Sequence, residues 1–507
     1  MSNKLDVVFV NADSSSAAYQ GLADKFAAIE PPTWSMLLAN SARAVGHSVA
    51  IIDSTAEGLS HESTVERIGE LKPRLVVFVV YGQNPNSGTI NMVGNSECAE
   101  LLKLTFPTIK ICFVGSHTSA LPNEVLAIPA VDLILLNEGV YALRSLLASD
   151  LESDLPKIKG IGYKIDGKSI LNAPEIVVPN DRMDIDMPGY AWDLLPMKEK
   201  ALDLYRAHFW HTEYKQENRS PFAALYTSLG CRFKCDFCMI NIINRVDNDS
   251  EIASSNSPNM RFWSPEFMIT EFEKLAGFGV EHIRISDEMF FLNQRYFEPL
   301  LQGIIDRDLG LKMWSYTRID TVREKFLDLF KKAGINWLAV GIEAGNREVR
   351  REVSKGTFAL EDVSSVVKLI QKHDIGVAAN YIFGFPDDTM ETMKQTLDLA
   401  LELNTEMANL YPCQALPGSP LHLKARKEGW QLPDTYQGYG FLSYEASPLA
   451  TKHVSAAEVV RFRDMAWQRY HENPAFLNLI ENKFGESARQ GIVDLSKVKL
   501  KRRILGD

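Results

Sequence analysis

The stretch 222–238, FAALYTSLGCRFKCDFC, decides the fold of this chain. It begins as an apolar run of strand length, passes through a Leu-Gly turn, and ends in three cysteines, Cys231, Cys235 and Cys238. Thiolates this close can hold one metal ion or cluster, but a closed zinc site needs a fourth ligand, and no Cys or His follows at zinc-finger spacing. A cluster held by three cysteines leaves one iron open to a substrate or cofactor. The pattern therefore indicates an iron-sulfur cluster at the end of a strand.

A regular alternation of strands and helices continues after the cysteines. Strands are predicted at 223–228, 282–286, 312–316, 337–342, 376–383 and 407–411. Six such units predict a partial or full parallel barrel over residues 221–425, with its chemistry on the loops that follow the strands. The polar stretch 244–260 is predicted to be a mobile loop, and residues 426–507 are predicted to be a mostly helical region.

The chain before the cysteines has the same α/β character. Strands are predicted at 5–10, 48–52, 75–80, 110–114 and 132–136, with helical stretches between them. This order predicts a doubly wound parallel sheet over residues 1–150, which would bind a ligand at the carboxyl ends of its strands. Residues 151–220, rich in Pro and Asp after a short hairpin, are predicted to be a linker laid over the surface.

Composition excludes several classes of protein. The 507 residues are 46% hydrophobic and 23% charged, as in ordinary globular domains, and six cysteines are too few for a disulfide framework. The net charge of -11 argues against a general nucleic-acid or membrane surface. The N-terminus lacks a signal-peptide pattern and no apolar run reaches membrane-spanning length, so we expect a cytoplasmic protein.

The cysteine motif resembles the CxxxCxxC signature of the radical S-adenosylmethionine (SAM) superfamily, including an aromatic residue, Phe237, before the last cysteine. Later segments resemble further motifs of that superfamily in order and spacing. These segments are ISDEMF (285–290), SYTRID (315–320), VGIEAGN (340–346) with Lys355-Gly356, IFGFP (382–386) and LPGSP (416–420).

The resemblance implies a [4Fe-4S] cluster on the three cysteines and SAM bound to its open iron. By position it implies that Phe237 offers its backbone to adenine and that Glu343 binds the ribose. It likewise implies that Arg318 binds the methionine carboxylate and that Asp287 or Glu288 binds the methionine amino group. Each of these pairings joins groups of opposite charge. Gly384 is expected to permit a close backbone approach in the SAM site. No catalytic residue is assigned.

The N-terminal domain resembles the flavodoxin-like cobalamin-binding domain that precedes the radical domain in one subgroup of the superfamily. Where the cobalamin motif reads DxHxxG, this chain has Asp53-Ser-Thr55-Ala-Glu-Gly58, so Thr55 replaces the cobalt-ligating histidine. A hydroxyl is a poor cobalt ligand compared with imidazole. The remaining residues that the resemblance assigns to cobalamin are Gly82, Gln83, Gly115, Ser116, His117, Glu138 and Gly139. For His117, a loop histidine satisfied by protein partners is an equally good interpretation.

Together the resemblances imply a cobalamin-dependent radical SAM methyltransferase, with the methyl group passing through methylcobalamin to a carbon or phosphorus activated by a 5'-deoxyadenosyl radical. The implied partners are a small-molecule substrate and an external flavodoxin- or ferredoxin-type electron donor. Two alternatives stay open at this point. One is a non-methylating cyclase or oxidase of the same subgroup, and the other is a zinc-stabilised ligand sensor. His208 and His211 could be a metal pair, but packing is the better interpretation.

Overall fold

The computed structural model describes residues 5–82, 85–245, 259–353 and 360–507. Gln83, the pair Lys355-Gly356 and all but the ends of the loop predicted at 244–260 lie outside the described residues.

The N-terminal half is built on a seven-stranded sheet. Its strands are β1 (Val7–Asn11), β2 (Val49–Asp53), β3 (Leu75–Val80), β4 (Lys110–Gly115), β5 (Leu133–Leu135), β6 (Ile161–Ile165) and β7 (Lys168–Leu171). The order is β2-β1-β3-β4-β5-β6-β7, with the first five strands parallel and the last two antiparallel. β3, sequence LVVFVV, is buried along its whole length, as expected for a parallel strand covered on both faces. This confirms the predicted flavodoxin-like fold class.

Helices cover both faces of this sheet. They are α1 (Ser15–Tyr19), α2 (Thr33–Arg43), α3 (Ser54–Glu57), α4 (His61–Leu71), α5 (Gly88–Thr105), α6 (Ser116–Ala120), α7 (Pro122–Ala127), α8 (Val140–Ala148) and, farther along, α9 (Met183–Asp186). α4 begins after Ser60, whose Oγ accepts a hydrogen bond of 3.2 Å from the backbone of Ser63.

The segment between the two sheets is more deeply packed than a surface linker. β6 and β7 lie within the stretch 151–220 and extend the N-terminal sheet. Farther on, Trp192, Tyr205 and Trp210 are buried in the main core, and a bridge joins Arg206 to Ile29. Burial of such large aromatic side chains is strongly favourable, so this segment joins the two halves by a shared core instead of lying over them.

The second half is built on six parallel strands. In chain order the remaining strands are β8 (Phe222–Leu225), β9 (Ser228–Cys231), β10 (Asn259–Phe262), β11 (His282–Ile285), β12 (Lys312–Arg318), β13 (Ile335–Glu343), β14 (Gly376–Phe383) and β15 (Met407–Pro412). The large sheet has the order β8-β11-β12-β13-β14-β15, while β9 and β10 form a separate antiparallel pair that the sequence did not reveal. β8 and β15 are the ends of this sheet order, which confirms a partial barrel.

Helices surround the barrel and form the C-terminal region. They are α10 (Pro265–Gly277), α11 (Gln294–Asp306), α12 (Leu327–Lys332), α13 (Arg347–Glu352), α14 (Leu360–Lys372), α15 (Met390–Leu403), α16 (Pro420–Glu428), α17 (Ala456–His471), α18 (Pro474–Phe484) and α19 (Glu486–Ser496). A capping box of Ser455 and Glu458 starts α17. None of the helices in the described part of the chain is long and apolar enough to span a bilayer.

Candidate active site

The cysteine loop forms part of the wall of a large cavity. Cys231 ends β9, which is held against β10, and Cys235 and Cys238 follow in a tight turn in which the Cys238 backbone donates to the carbonyl of Cys235 at 3.1 Å. All three are half-buried and outside any disulfide, and all three line a cavity of about 880 Å³ at the carboxyl ends of the barrel strands. Convergence of three sulfurs on one cavity is the arrangement that a three-cysteine cluster requires.

The protonation of these thiols depends on their burial. Burial raises the pKa of Cys231 to about 11 and raises that of Cys238 well above its usual value, and neighbouring thiols add to both shifts. Without a metal the thiols are therefore protonated at neutral pH, and metal binding must release those protons. Among the described residues, no three His, Cys, Asp or Glu side chains are arranged to hold a single metal ion.

Arg318 ends β12 beside the cysteine loop. Its guanidinium lies 3.9 Å from the centre of the Phe233 ring and donates to Cys235 Sγ at 3.5 Å. It also donates through Nε and Nη2 to the two carboxylate oxygens of Asp320, at 3.0 and 2.8 Å. These contacts fix the plane of a cation that is 7% exposed in the cavity wall. A rigid guanidinium in this position suits an anionic group.

The two acidic candidates after β11 lie in different surroundings. Asp287 is fully buried, and its carboxylate accepts hydrogen bonds from the backbone and hydroxyl of Thr227 and from the hydroxyl of Ser228. It is not among the described residues that line the cavity. Glu288 does line the cavity, and its Oε1 is buried without a hydrogen-bond partner in the described structure. Burial raises the pKa of Glu288 to about 8, because the charged carboxylate is poorly solvated. A cation bound beside this group would stabilise the carboxylate and lower its pKa.

Three further predicted residues differ in their access to the cavity. Glu343 lines it from the end of β13, at an irregularity in the strand and with φ of 70°, a conformation that is costly for a residue other than Gly. Phe237 also lines it, with its ring 5.4 Å from that of Phe385. Gly384 lies instead beneath α17, where a Cβ would meet Val459 Cγ1 at 2.7 Å, so its role in the described structure is close packing.

A second cavity of about 440 Å³ lies at the carboxyl ends of β1, β2 and β3. Asn11, Asp53 and Tyr81, one from the end of each strand, line it together with Thr55 and Gly82. The two cavities share wall residues, which are Ala18, Tyr19, Ala27, Ala28, Ser87 and Ile90. A ligand seated on the N-terminal sheet would therefore lie next to the cluster cavity, as a switch-point ligand of this fold should.

The strand-end residues of this second cavity form a small acidic network. Thr55 donates to Asp13 at 3.0 Å, and Tyr205 donates to Asp53 at 3.1 Å. Burial raises the pKa of Asp53 to about 7, and the other acidic groups nearby add to the effect. Thr55 is thus hydrogen-bonded to a carboxylate. The motif position that carries the cobalt-ligating histidine therefore offers a hydroxyl here and no imidazole.

The other residues that the sequence assigns to cobalamin lie outside both cavity linings in the described structure. They are Gly115, Ser116, His117, Glu138 and Gly139. His117 is buried and hydrogen-bonded to Thr89 at 3.0 Å and to Glu124 at 3.1 Å, which is the satisfied-histidine interpretation. Glu138 forms a buried ion pair of 2.7 Å with Arg261 of β10. The turn that carries Glu138 therefore packs against the segment that follows the cysteine loop.

The sequence analysis did not identify a buried charged network that reaches both cavities, the smaller through Glu30 and the larger through His208. Arg284 of β11 and Glu30 form an ion pair of 2.5 Å, and their side chains are only 1% and 3% exposed. His208 lies 3.2 Å from the other Glu30 oxygen, and His211 is hydrogen-bonded to the carbonyl of Lys312 at 3.1 Å, contacts that fit the packing interpretation. The available signal was a charge inside a strand, in HIRI, because buried charges are rare unless paired.

Comparison with known proteins gives the following relationships. Residues 225–400 match the radical SAM superfamily, and residues 19–147 match the B12 binding domain. The chain is 24% identical over 450 residues to an uncharacterized methyltransferase of Pyrococcus horikoshii, covering 88% of this chain and 89% of that one. It is 24% identical over 469 residues to the anaerobic magnesium-protoporphyrin IX monomethyl ester cyclase of Rubrivivax gelatinosus, covering 88% and 75%.

Among solved structures, the fold is similar to that of the radical SAM methyltransferase TsrM from Kitasatospora setae, determined with cobalamin and a [4Fe-4S] cluster bound. The TM-score is 0.67 at 16% identity, and the match covers 97% of this chain and 99% of that one.

Proposed function

Because this chain is a radical SAM protein with a B12-binding domain, we propose that it is a methyltransferase acting on an unactivated carbon or phosphorus of a small metabolite or natural-product intermediate. The observation that supports this most is the shared wall between the two cavities. A methyl carrier on the N-terminal sheet would lie beside the place where a substrate radical forms. When bound, the cofactors supply the reductive cleavage of SAM and the transferable methyl group.

In this proposal the residues of the larger cavity bind and orient SAM. Cys231, Cys235 and Cys238 hold the cluster. Glu288, whose buried oxygen lacks a partner, binds the methionine ammonium, and Arg318 binds the carboxylate. These assignments match charge with opposite charge in a site with little water.

The remaining assignments concern the nucleoside and the carrier. Glu343 binds the ribose hydroxyls, and the Phe237 backbone meets the adenine. On the N-terminal sheet, Thr55 and Gly82 face cobalamin, with no histidine ligand from the DxHxxG position. Asp287 acts indirectly, because its hydrogen bonds hold Thr227 and Ser228 at the start of the strand that ends in Cys231.

An external donor must reduce the cluster, and we propose an acidic flavodoxin- or ferredoxin-type protein. Arg232 and Lys234 are exposed on the cysteine loop of a chain whose net charge is -11. Local positive charge beside the cluster would steer an acidic partner. The cytoplasm is the compartment that suits this chemistry, since it keeps thiols reduced.

Variants of the cysteines test the proposal directly. After anaerobic reconstitution with iron, sulfide and cobalamin, we expect Cys231→Ala, Cys235→Ala and Cys238→Ala each to lose the cluster. Cys413→Ala is the matched control, because Cys413 is buried in the wall of the same cavity but lies outside the motif. The proposal is wrong if the three variants retain wild-type iron and sulfide, or if the wild type binds zinc and leaves SAM intact.

A non-methylating cyclase or oxidase is the second candidate. It is favoured by the similarity to the cyclase of Rubrivivax gelatinosus over 88% of this chain. It predicts 5'-deoxyadenosine without S-adenosylhomocysteine, whereas the methyltransferase predicts both.

A further inference from the structure

We propose that Asn380 and Asn409 form the substrate-recognition element of the larger cavity, and that they select a neutral carboxamide or lactam group. This inference rests on the proposed function, because it concerns the substrate of that same cavity. Both asparagines line the cavity wall, and both lie within strands instead of in the loops that follow them.

The two side chains are paired across adjacent strands. Asn380 of β14 and Asn409 of β15 are direct register partners. Asn409 Nδ2 donates to Asn380 Oδ1 at 2.9 Å. Neither residue makes another side-chain hydrogen bond in the described structure, and both are partly accessible from the cavity. The pair is therefore part of the barrel wall, and some of its hydrogen-bonding groups have no protein partner in the described structure.

The remaining hydrogen-bonding groups of the pair include both a donor and an acceptor. An Asn amide has an NH2 group and a carbonyl oxygen, so pairing Asn409 Nδ2 with Asn380 Oδ1 leaves the Asn380 NH2 group as a donor and the Asn409 oxygen as an acceptor with no protein partner in the described structure. If both amides were flipped, the identities of the two residues would exchange but the surface would still present one donor and one acceptor. A carboxamide or lactam offers the complementary acceptor and donor. A carboxylate offers two acceptors and would leave an asparagine oxygen facing negative charge.

The position of the pair suits a substrate held beside SAM. Arg318, Gly341, Asn380 and Asn409 are consecutive register partners on β12, β13, β14 and β15. At ~4.8 Å per strand, this row places the Cα atoms of Asn380 and Asn409 about 10 and 14 Å from that of Arg318, measured along the sheet. Gly341 leaves the wall open between the two ends. The proposed anchor is thus close to the SAM site without overlapping the residue assigned to its carboxylate.

The neighbouring cation does not favour an anionic substrate. Arg463 of α17 also lines the cavity, but it donates to the carbonyl of Leu410 at 2.6 Å and to Asp464 at 2.9 Å. Asp464 also accepts two hydrogen bonds of 2.8 Å from Arg502, so the three side chains form one network and the Arg463 guanidinium is committed to protein partners. Tyr316 of β12 lines the same cavity and is half-buried, so part of its ring is accessible to a flat ligand, whereas Trp314 is buried behind this wall. These features favour a neutral, partly aromatic substrate.

Matched probes test the inference on the cluster-, cobalamin- and SAM-loaded enzyme. We would measure dissociation constants of 2-naphthamide, 2-naphthoate and 2-naphthamidine by calorimetry. The wild type should bind the amide at least ~10-fold more tightly than the other two, the discrimination expected from one mismatched hydrogen-bonding group. Asn380→Asp and Asn409→Asp should each present two acceptors and bind the amidine most tightly.

Gln414→Glu is the matched control. It adds the same charge to the wall of the same cavity, outside the pair, and should retain the wild-type preference for the amide. The inference is overturned if the wild type does not distinguish amide from carboxylate, or if Gln414→Glu switches preference as the Asp variants do. It is also overturned if the Asp variants lose cobalamin while keeping the probe order, since the corrin ring carries amide groups of its own.

Cluster content and 5'-deoxyadenosine formation from SAM are measured in parallel. Their absence in the wild type would refute the proposed function. Their presence, with no probe discrimination, would refute only the assignment of the asparagine pair.

Discussion

The buried ion pair between Glu138 and Arg261 gives the sharpest prediction about how the two halves of the chain are joined. Each side chain is 2% exposed, and the charged atoms are 2.7 Å apart. Arg261 also donates to the Val178 carbonyl at 2.8 Å and to Asn244 at 3.1 Å, while Glu138 accepts from the Val178 backbone. Substituting either charged residue would therefore leave the opposite charge buried without its counter-ion.

The magnitude follows from desolvation. Glu138→Leu would leave a buried guanidinium without its counter-ion, which costs about 3–5 kcal/mol. Glu138→Gln keeps an acceptor oxygen and should cost only about 1–3 kcal/mol. The double variant Glu138→Leu with Arg261→Met removes both charges, so its cost should fall well below the sum of the two single variants.

Urea unfolding of the wild type, Glu138→Leu, Arg261→Met and the double variant, followed by fluorescence and circular dichroism, gives the coupling energy between the two side chains. Additive single effects would refute the ion-pair argument. Cobalamin affinity provides a second readout, because the sequence assigned Glu138 to the corrin site. If Glu138→Gln abolishes cobalamin binding without changing stability, the residue is a corrin contact and its interdomain role is wrong.

Three further predictions follow from the site. Glu288→Gln should weaken SAM binding about tenfold, measured by equilibrium dialysis, because a buried charge partner is lost, whereas Asp287→Asn should chiefly lower the melting temperature. Burial raises the pKa of Asp53 to about 7, so the wild type should lose stability as pH rises from about 4 to 7; melting curves of Asp53→Asn should show a smaller loss over this range, because Glu288, whose pKa is also raised, keeps its own contribution. Gly384→Ala should cost about 1–3 kcal/mol in urea unfolding, from a contact with Val459 and a φ of 87°, and should leave SAM affinity unchanged. Equal loss of SAM binding in both acidic variants, an Asp53→Asn protein that loses as much stability between about pH 4 and 7 as the wild type, or a Gly384→Ala variant that loses SAM binding would contradict the corresponding prediction.

Much of the fold was predictable because the first five strands of the N-terminal sheet and all six strands of the barrel sheet are parallel, and most of them are apolar runs. β3 and β14 have the bounds that the sequence predicts, and most other strands differ by one to three residues at their ends. The clustering of Cys231, Arg318 and Glu343 was also predictable, since the carboxyl ends of parallel strands meet at one edge.

What the sequence could not provide depends on contacts between distant residues. Asp287 and Glu288 are neighbours in the chain. Only the structure shows that Asp287 is hydrogen-bonded to Thr227 and Ser228, while Glu288 lines the cavity. Glu138 follows a strand end, as a corrin contact should, but packing of the two halves brings Arg261 against it. The pairing of Asn380 with Asn409 likewise required the register of β14 and β15.

The most direct test of the central claim is product analysis from methyl-labelled SAM. The anaerobically purified enzyme, supplied with iron, sulfide, cobalamin and a low-potential reductant, is incubated with the label, and its corrinoid and nucleoside products are identified by mass. Our account predicts label on the bound corrinoid together with both S-adenosylhomocysteine and 5'-deoxyadenosine. A protein that forms 5'-deoxyadenosine but never labels the corrinoid would contradict it.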